Sequence, residues 1–211
     1  MRFTPQNIVI YLIWAFLSGE AAYSLWQGHW DEAFVALFTL GLTLIPLLFE
    51  ERLGVHLPLT FAALIVVFLF ATLFLGEVGD FYEKFWWWDV LLHSGSAIGL
   101  GLIGYVLVFM LFEGDKFAAP PLALAFLAFS IAVSIGALWE IFEYSMDSLF
   151  GLNMQKNGLV DTMWDLIVNM IGASIGAFAG YLYQRGKRFM GLSRMIDQFV
   201  RANGKFFRKN K

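Results

Sequence analysis

Residues 160–180 read VDTMWDLIVNMIGASIGAFAG. Past its first turn the stretch is apolar, and about 20 such residues cross the roughly 30 Å hydrocarbon core of a bilayer. Yet Asp161, Asp165 and Asn169 recur at i, i+4 and i+8, which places them on one face of a helix. The same face runs on through Gly172, Gly176 and Gly180. Small residues let helix backbones approach closely in lipid. An ionisable side chain turned to hydrocarbon costs a few kcal/mol or more. This polar, then glycine-lined face must therefore meet other helices, and the stretch predicts a bundle rather than a lone anchor.

The rest of the chain supplies the partners. Of 211 residues, 59% are hydrophobic and only 15% charged, which suits an all-α, polytopic membrane protein without a soluble module. There is no cysteine, so disulfides and thiol chemistry are excluded. Six spans are expected, at 7–27, 33–49, 58–76, 88–112, 120–144 and 161–184. They form one transmembrane domain over 1–184, followed by a basic tail over 185–211. Pro58 and Pro120 sit at span starts, where a missing N–H costs nothing. The first apolar run is longer than a signal-peptide core and contains Glu20, so it is expected to be retained. No internal repeat is visible, which weighs against an inverted-repeat transporter.

Charge sets the orientation. Nine of the 14 Lys and Arg residues lie after residue 184. Beside a span this reads as a cytoplasmic anchor, not a nucleic-acid surface. With both termini inside, Arg2, Arg52, Lys116 and the tail are cytoplasmic, and only Lys84 and Lys156 lie outside: 12 against two. Trp26, Trp30 and Trp86–Trp88 then fall at the outer interface as an aromatic belt. In the tail, Leu192, Met195, Ile196, Phe199 and Val200 share a helical face, which predicts an amphipathic helix on the cytoplasmic membrane surface.

Under this topology three spans bring costly residues to one depth near the outer leaflet. The fourth carries Asp89 and His93 at i,i+4. The fifth ends in ALWEIFEYSMD, with Glu140 and Glu143 at i,i+3 and Asp147 continuing the line if the helix does. The sixth contributes Asp161, Asp165 and Asn169. Small residues extend each stripe: Ala97, Gly101 and Gly104 after His93, Ala132 and Gly136 before Glu140. Spans four to six are thus expected to pack tightly in their inner halves and to splay around an outer polar pocket. Glu20 is a further candidate for its wall, and Asp161 also for a helix N-cap. His29, His56, Glu50 and Glu51 read as solvated loop residues.

Six carboxylates face one histidine in this pocket. Crowded carboxylates in a low dielectric do not all stay ionised without a cation. Three remedies are open: shared protons, a cationic ligand, or a divalent metal on Asp89, His93, Glu140, Glu143 and Asp165. Oxygen ligands suit Mg, Ca or Mn, and a histidine admits Zn or Mn. Lys156 is the nearest native cation.

The pattern Asp89-x3-His93 with Gly95, then Trp139-Glu140-x2-Glu143, then Asp161-Thr162-x2-Asp165-x3-Asn169-x2-Gly172 resembles the YjdF-like family of bacterial inner-membrane proteins. The resemblance runs from about Trp88 to Gly180 and less clearly over the first three spans. More remotely the chain is similar to VanZ-like proteins, which share the Asp-x3-His pair, a later Glu and a final Asp-x3-Asn-x2-Gly. Where the VanZ-like pattern often has Gln, this chain has Glu143, so its pocket is more acidic. The resemblance implies a multi-pass inner-membrane location and a site. Through the VanZ-like proteins it implies action on lipid head groups or lipid-linked envelope precursors.

Two function classes follow. The first is a membrane enzyme, with Asp89, His93, Glu140, Glu143, Asp161, Asp165 and Asn169 as site residues. Its partners would be membrane lipids and a lipid or lipid-linked substrate. His93 would act as base or metal ligand, and the carboxylates as acid, base or ligands. The second is a proton- or cation-coupled transporter, for which intramembrane acids are usual; an envelope scaffold is a third option. The polar residues stop in the outer half, which favours the enzyme.

Overall fold

Thr4 opens the first helix, its Oγ1 accepting the Asn7 amide while Pro5 takes the first helical position, where an N–H is not needed. The computed structural model describes residues 4–112 and 120–207, the side chains of 47–51 and 53 excepted. Arg2, Lys116, the last four residues and the side chains of Glu50 and Glu51 therefore lie outside the described residues. All regular structure among those described is helical. In order come α1 (Pro5–Gln27), α2 (Trp30–Leu53), α3 (Leu59–Leu69, continuing as a π-helix over Phe70–Val78), the short α4 (Phe81–Lys84), α5 (Trp88–Leu111), α6 (Pro121–Phe150), α7 (Leu159–Gln184) and α8 (Leu192–Ala202).

Five of these segments are long and apolar enough to span a bilayer: α1, Leu59–Val78, α5, α6 and α7. The expected span at 33–49 falls within α2, a 24-residue helix that holds Pro46. The helical backbone of α2 runs to Leu53, so Glu50 and Glu51 belong to a helix and not to a loop. His29 and His56 do lie outside helices. The largest departure is α6, expected to end at 144. Nothing breaks it before Gly151, whose φ of 70° ends the helix in the left-handed region that glycine adopts cheaply. At about 1.5 Å per residue, its 30 residues exceed the hydrocarbon thickness by several turns.

The chain forms two compact units, residues 1–92 and 93–211. In the first, Ile10, Ile13, Leu17 and Ala21 of α1 bury one stripe against Ala36 of α2 and Ala62, Ala63, Val66 and Phe74 of the third segment. Phe16 makes edge-on contacts with Phe70 and Phe74, at 5.7 and 5.4 Å between ring centres. Trp14 donates its indole N–H to Thr43 at 2.9 Å. Glu20 belongs to a polar group of this unit: buried Ser24 lies within hydrogen-bond reach of both Glu20 and Glu32, and His29 stands 3.3 Å from Glu32. The tryptophan triplet divides. Trp86 and Trp87 are exposed, whereas Trp88 is buried with Phe81 edge-on at 4.9 Å.

In the second unit glycines bring backbones together. A Cβ added to Gly101 of α5 would meet the Ala173 carbonyl oxygen of α7 at 3.0 Å, and one added to Gly104 would meet the Ala128 oxygen of α6 at 3.1 Å. Gly172 is closed by Ala97 and the Ser94 carbonyl, and Gly180 by the Tyr105 ring. The centre of the apolar face of α8 is covered, while Leu192, Met195 and Val200 are partly buried. Ile196 and Phe199 are buried, and Phe207 lies 5.5 Å from Phe109 of α5. The amphipathic tail expected from the sequence thus exists as a helix, with Ile196 and Phe199 of its apolar face buried against protein.

Candidate polar site at the helix ends

On α6, Ala132, Gly136, Glu140 and Glu143 are all buried, so the expected stripe of small then acidic residues points inward. On α7 the buried line runs Asp165, Asn169, Gly172, Gly176, Gly180. His93, in the second turn of α5, is 9% exposed, Glu140 4% and Asp165 3%, and at such burial a charge needs a partner. The imidazole lies between two carboxylates on two different helices. Its Nδ1 is 3.8 Å from Glu140 Oε1, and its Nε2 is 4.0 Å from Asp165 Oδ1. Asp89 stands one turn before His93 on the same unbroken helix. Asp89, His93 and Asp165 each offer a ligand atom, all within 4.8 Å of one another.

Asn169 is positioned by an absence. A Cβ on Gly136 would come within 2.8 Å of the Asn169 amide nitrogen, so glycine makes the room that this side chain occupies on α6. Glu143 accepts the indole N–H of Trp139 at 2.8 Å, one turn earlier on the same helix. Trp139 enters the sequence reading only as part of the family pattern, and the structure adds it to the site. Its spacing of four from an acidic residue was the available signal.

Two of the six carboxylates serve a different purpose. Asp147 accepts the backbone amides of Met154 and Gln155, at 2.7 and 2.9 Å, and so holds the loop after α6. Asp161 accepts the Lys156 amide at 3.1 Å across the start of α7. Its expected N-cap role falls to Gly158 instead, and Asp161 sits within the first turn. Both are half-buried and bound to loop backbone. The buried group is therefore His93, Glu140, Glu143, Asp165 and Asn169, with the half-buried Asp89 beside His93 and Asp165.

The donor set suits a divalent ion. Ligand bonds of about 2.0–2.2 Å put the donors of one ion roughly 3–4 Å apart, so the Asp89–His93–Asp165 group needs only a small contraction. A histidine ligand normally presents its second ring nitrogen to a carboxylate that fixes the ring. Here Glu140 occupies that place when Nε2 faces the Asp165 side.

The family pattern of DUF2238, described as "Predicted membrane protein", matches residues 6–186. The chain belongs to this family. The match covers α1 to α7, hence every residue of the polar site, and stops short of α8. It agrees with the YjdF-like resemblance. A protein of Thermotoga maritima, described as "Uncharacterized protein", is 31% identical over 115 residues, 54% of this chain and 58% of its own length. The alignment thus spans under two thirds of that relative. No solved structure matches.

Proposed function

We propose that this integral membrane protein is an enzyme of the bacterial inner membrane, with both termini cytoplasmic. In this reading it acts near the outer leaflet on a lipid head group or a lipid-linked envelope precursor. The observation that carries the proposal is the placement of one buried imidazole between Glu140 and Asp165, contributed by separate helices, with Asp89 one turn away. Structural packing alone does not call for a histidine and several acids at one depth in a membrane bundle.

In this reading Asp89, His93 and Asp165 hold a divalent ion of the Mg, Mn, Ca or Zn class. Bound there, such an ion would polarise a head-group oxygen and acidify a water molecule. It also answers an electrostatic objection, because a phosphate would be repelled by so acidic a site without a bridging cation. Glu140 orients the His93 ring. Glu143, fixed by Trp139, is placed as the acid or base that moves a proton to or from the reacting group. Asn169 supplies a neutral donor beside Gly136. The close contact of α5 with α7 beyond Gly172 supports an enzyme over a carrier, because a carrier needs a path onward from the site.

The test is turnover by purified full-length protein in mixed micelles, with Mn or Zn added. The probes are a phosphatidylglycerol, a phosphatidylethanolamine and a polyprenyl pyrophosphate, and head-group release is followed by mass spectrometry. Metal-dependent release that disappears in both His93→Ala and Asp165→Asn supports the reading. Loss of none of the three head groups by metal-supplemented wild type defeats it.

A further inference from the structure

The corner that joins α7 to α8 has features that neither the fold nor the polar site uses. Arg185, Lys187 and Arg188 are exposed within four residues, directly after a membrane-length helix ends at Gln184. Met190, two residues on, is 85% exposed, and its φ of 45° lies in the left-handed region that non-glycine residues rarely adopt. Such a conformation is costly and persists only where its surroundings impose it.

The surroundings here are well defined. The Lys187 amide donates to the Leu182 carbonyl at 2.8 Å, and the Phe189 amide to the hydroxyl of buried Ser193 at 3.0 Å. The Phe189 ring is edge-on to Phe178 of α7, 5.6 Å away. These bonds tie Phe189 inward and turn Met190 outward. On α8, Ile196 and Phe199 are already buried against protein, whereas the Met190 side chain stands exposed. Asp197, the one acid of the tail, lies 2.8 Å from Arg201 on α8. The corner thus combines positive charge with a projecting apolar side chain, directly after the end of a membrane-length helix.

We propose that this corner is a binding site for an anionic phospholipid, with Lys187 and Arg188 at the head-group phosphate and Met190 in the acyl boundary. Basic residues near an anionic membrane surface contribute about 1 kcal/mol each, roughly fivefold in affinity. The site therefore selects an anionic lipid over a zwitterionic one.

The probes are dioleoyl phosphatidylglycerol, dioleoyl phosphatidylcholine and glycerol 3-phosphate, titrated onto full-length protein in mild detergent. Lipid occupancy is read by native mass spectrometry. Wild type is expected to prefer phosphatidylglycerol at least fivefold. Lys187→Gln with Arg188→Gln should lower that affinity about 25-fold, two fivefold contributions together, and bring it to parity with phosphatidylcholine. The charge-conserving pair Lys187→Arg with Arg188→Lys should keep the preference, as should Lys84→Gln, and Met190→Ser should weaken binding of the long-chain lipid. Equal binding of the two lipids by wild type overturns the proposal, as does an unchanged preference in the double Gln variant. Displacement of phosphatidylglycerol by millimolar glycerol 3-phosphate overturns the lipid assignment, because it would mean that the acyl chains and Met190 contribute nothing.

Discussion

Gly176 of α7 lies so close to Gly101 of α5 that a Cβ built on it would stand 3.0 Å from the Gly101 Cα and 2.5 Å from the Ile98 carbonyl oxygen. This contact is two turns along α7 from Asn169 and two turns along α5 from His93. It fixes the separation of the helices that carry His93 and Asp165, and so couples packing to the site.

Gly176→Leu should therefore be severely destabilising, because the displaced atoms are backbone and cannot rotate away; overpacking costs typically 1–3 kcal/mol, and more where backbones must part. Ala177 is also buried, so it is a poor comparison. The lipid-facing control is Ser174→Leu, at an exposed position. Thermal unfolding in detergent should show a large fall in midpoint for the first and little change for the second. Similar midpoints for both would mean that the seam does not hold the helices together.

Asp147 gives a prediction of the opposite kind. Its carboxylate accepts two amides of the loop after α6, and hydrogen bonds to charged groups contribute about 1.5–3 kcal/mol each. Asp147→Ala should loosen the segment 151–158 and speed its cleavage by added protease. The distance from His93 to Asp165 should be untouched, so any bound ion should stay. Protection equal to wild type would show that the loop is held by other contacts.

The helices and the seam were legible because their signals are periodic. Gly172, Gly176 and Gly180 repeat at four residues, and Asp165 with Asn169 continues the same line. The division of labour among the acids was not legible. Asp147 and Asp161 share the spacing of their neighbours, and only the path of the loop after Gly151 shows that they accept backbone amides. The docking of α8 was also hidden. An apolar stripe is the same in sequence whether it meets lipid or protein, and helix geometry alone does not show that Ile196 and Phe199 are buried.

Topology is tested separately. The charge bias places both termini inside and the loop after α6 outside. Reporter fusions at Lys211 should read cytoplasmic, and fusions at Asn153 external. A cytoplasmic signal at Asn153 would move the polar site to the inner face and remove the outer-leaflet substrate reading, while leaving the site itself intact.

The last prediction concerns the ion. If Asp89, His93 and Asp165 are its ligands, elemental analysis after identical dialysis should find a divalent metal near stoichiometry in wild type. His93→Ala and Asp165→Asn should lose most of it. Glu140→Gln should keep a site of weakened affinity, because removing a carboxylate that orients a histidine ligand typically costs 10–100-fold. Asp147→Ala should match wild type, since that carboxylate binds loop amides. Occupancy should fall as pH is lowered, because carboxylate and imidazole bind metal only when deprotonated, and protons then compete for the same atoms. Metal-free wild type after preparation in supplemented medium would leave shared protons or a cationic substrate to balance the acids. A Glu140→Gln protein as empty as His93→Ala would instead make Glu140 a ligand in its own right.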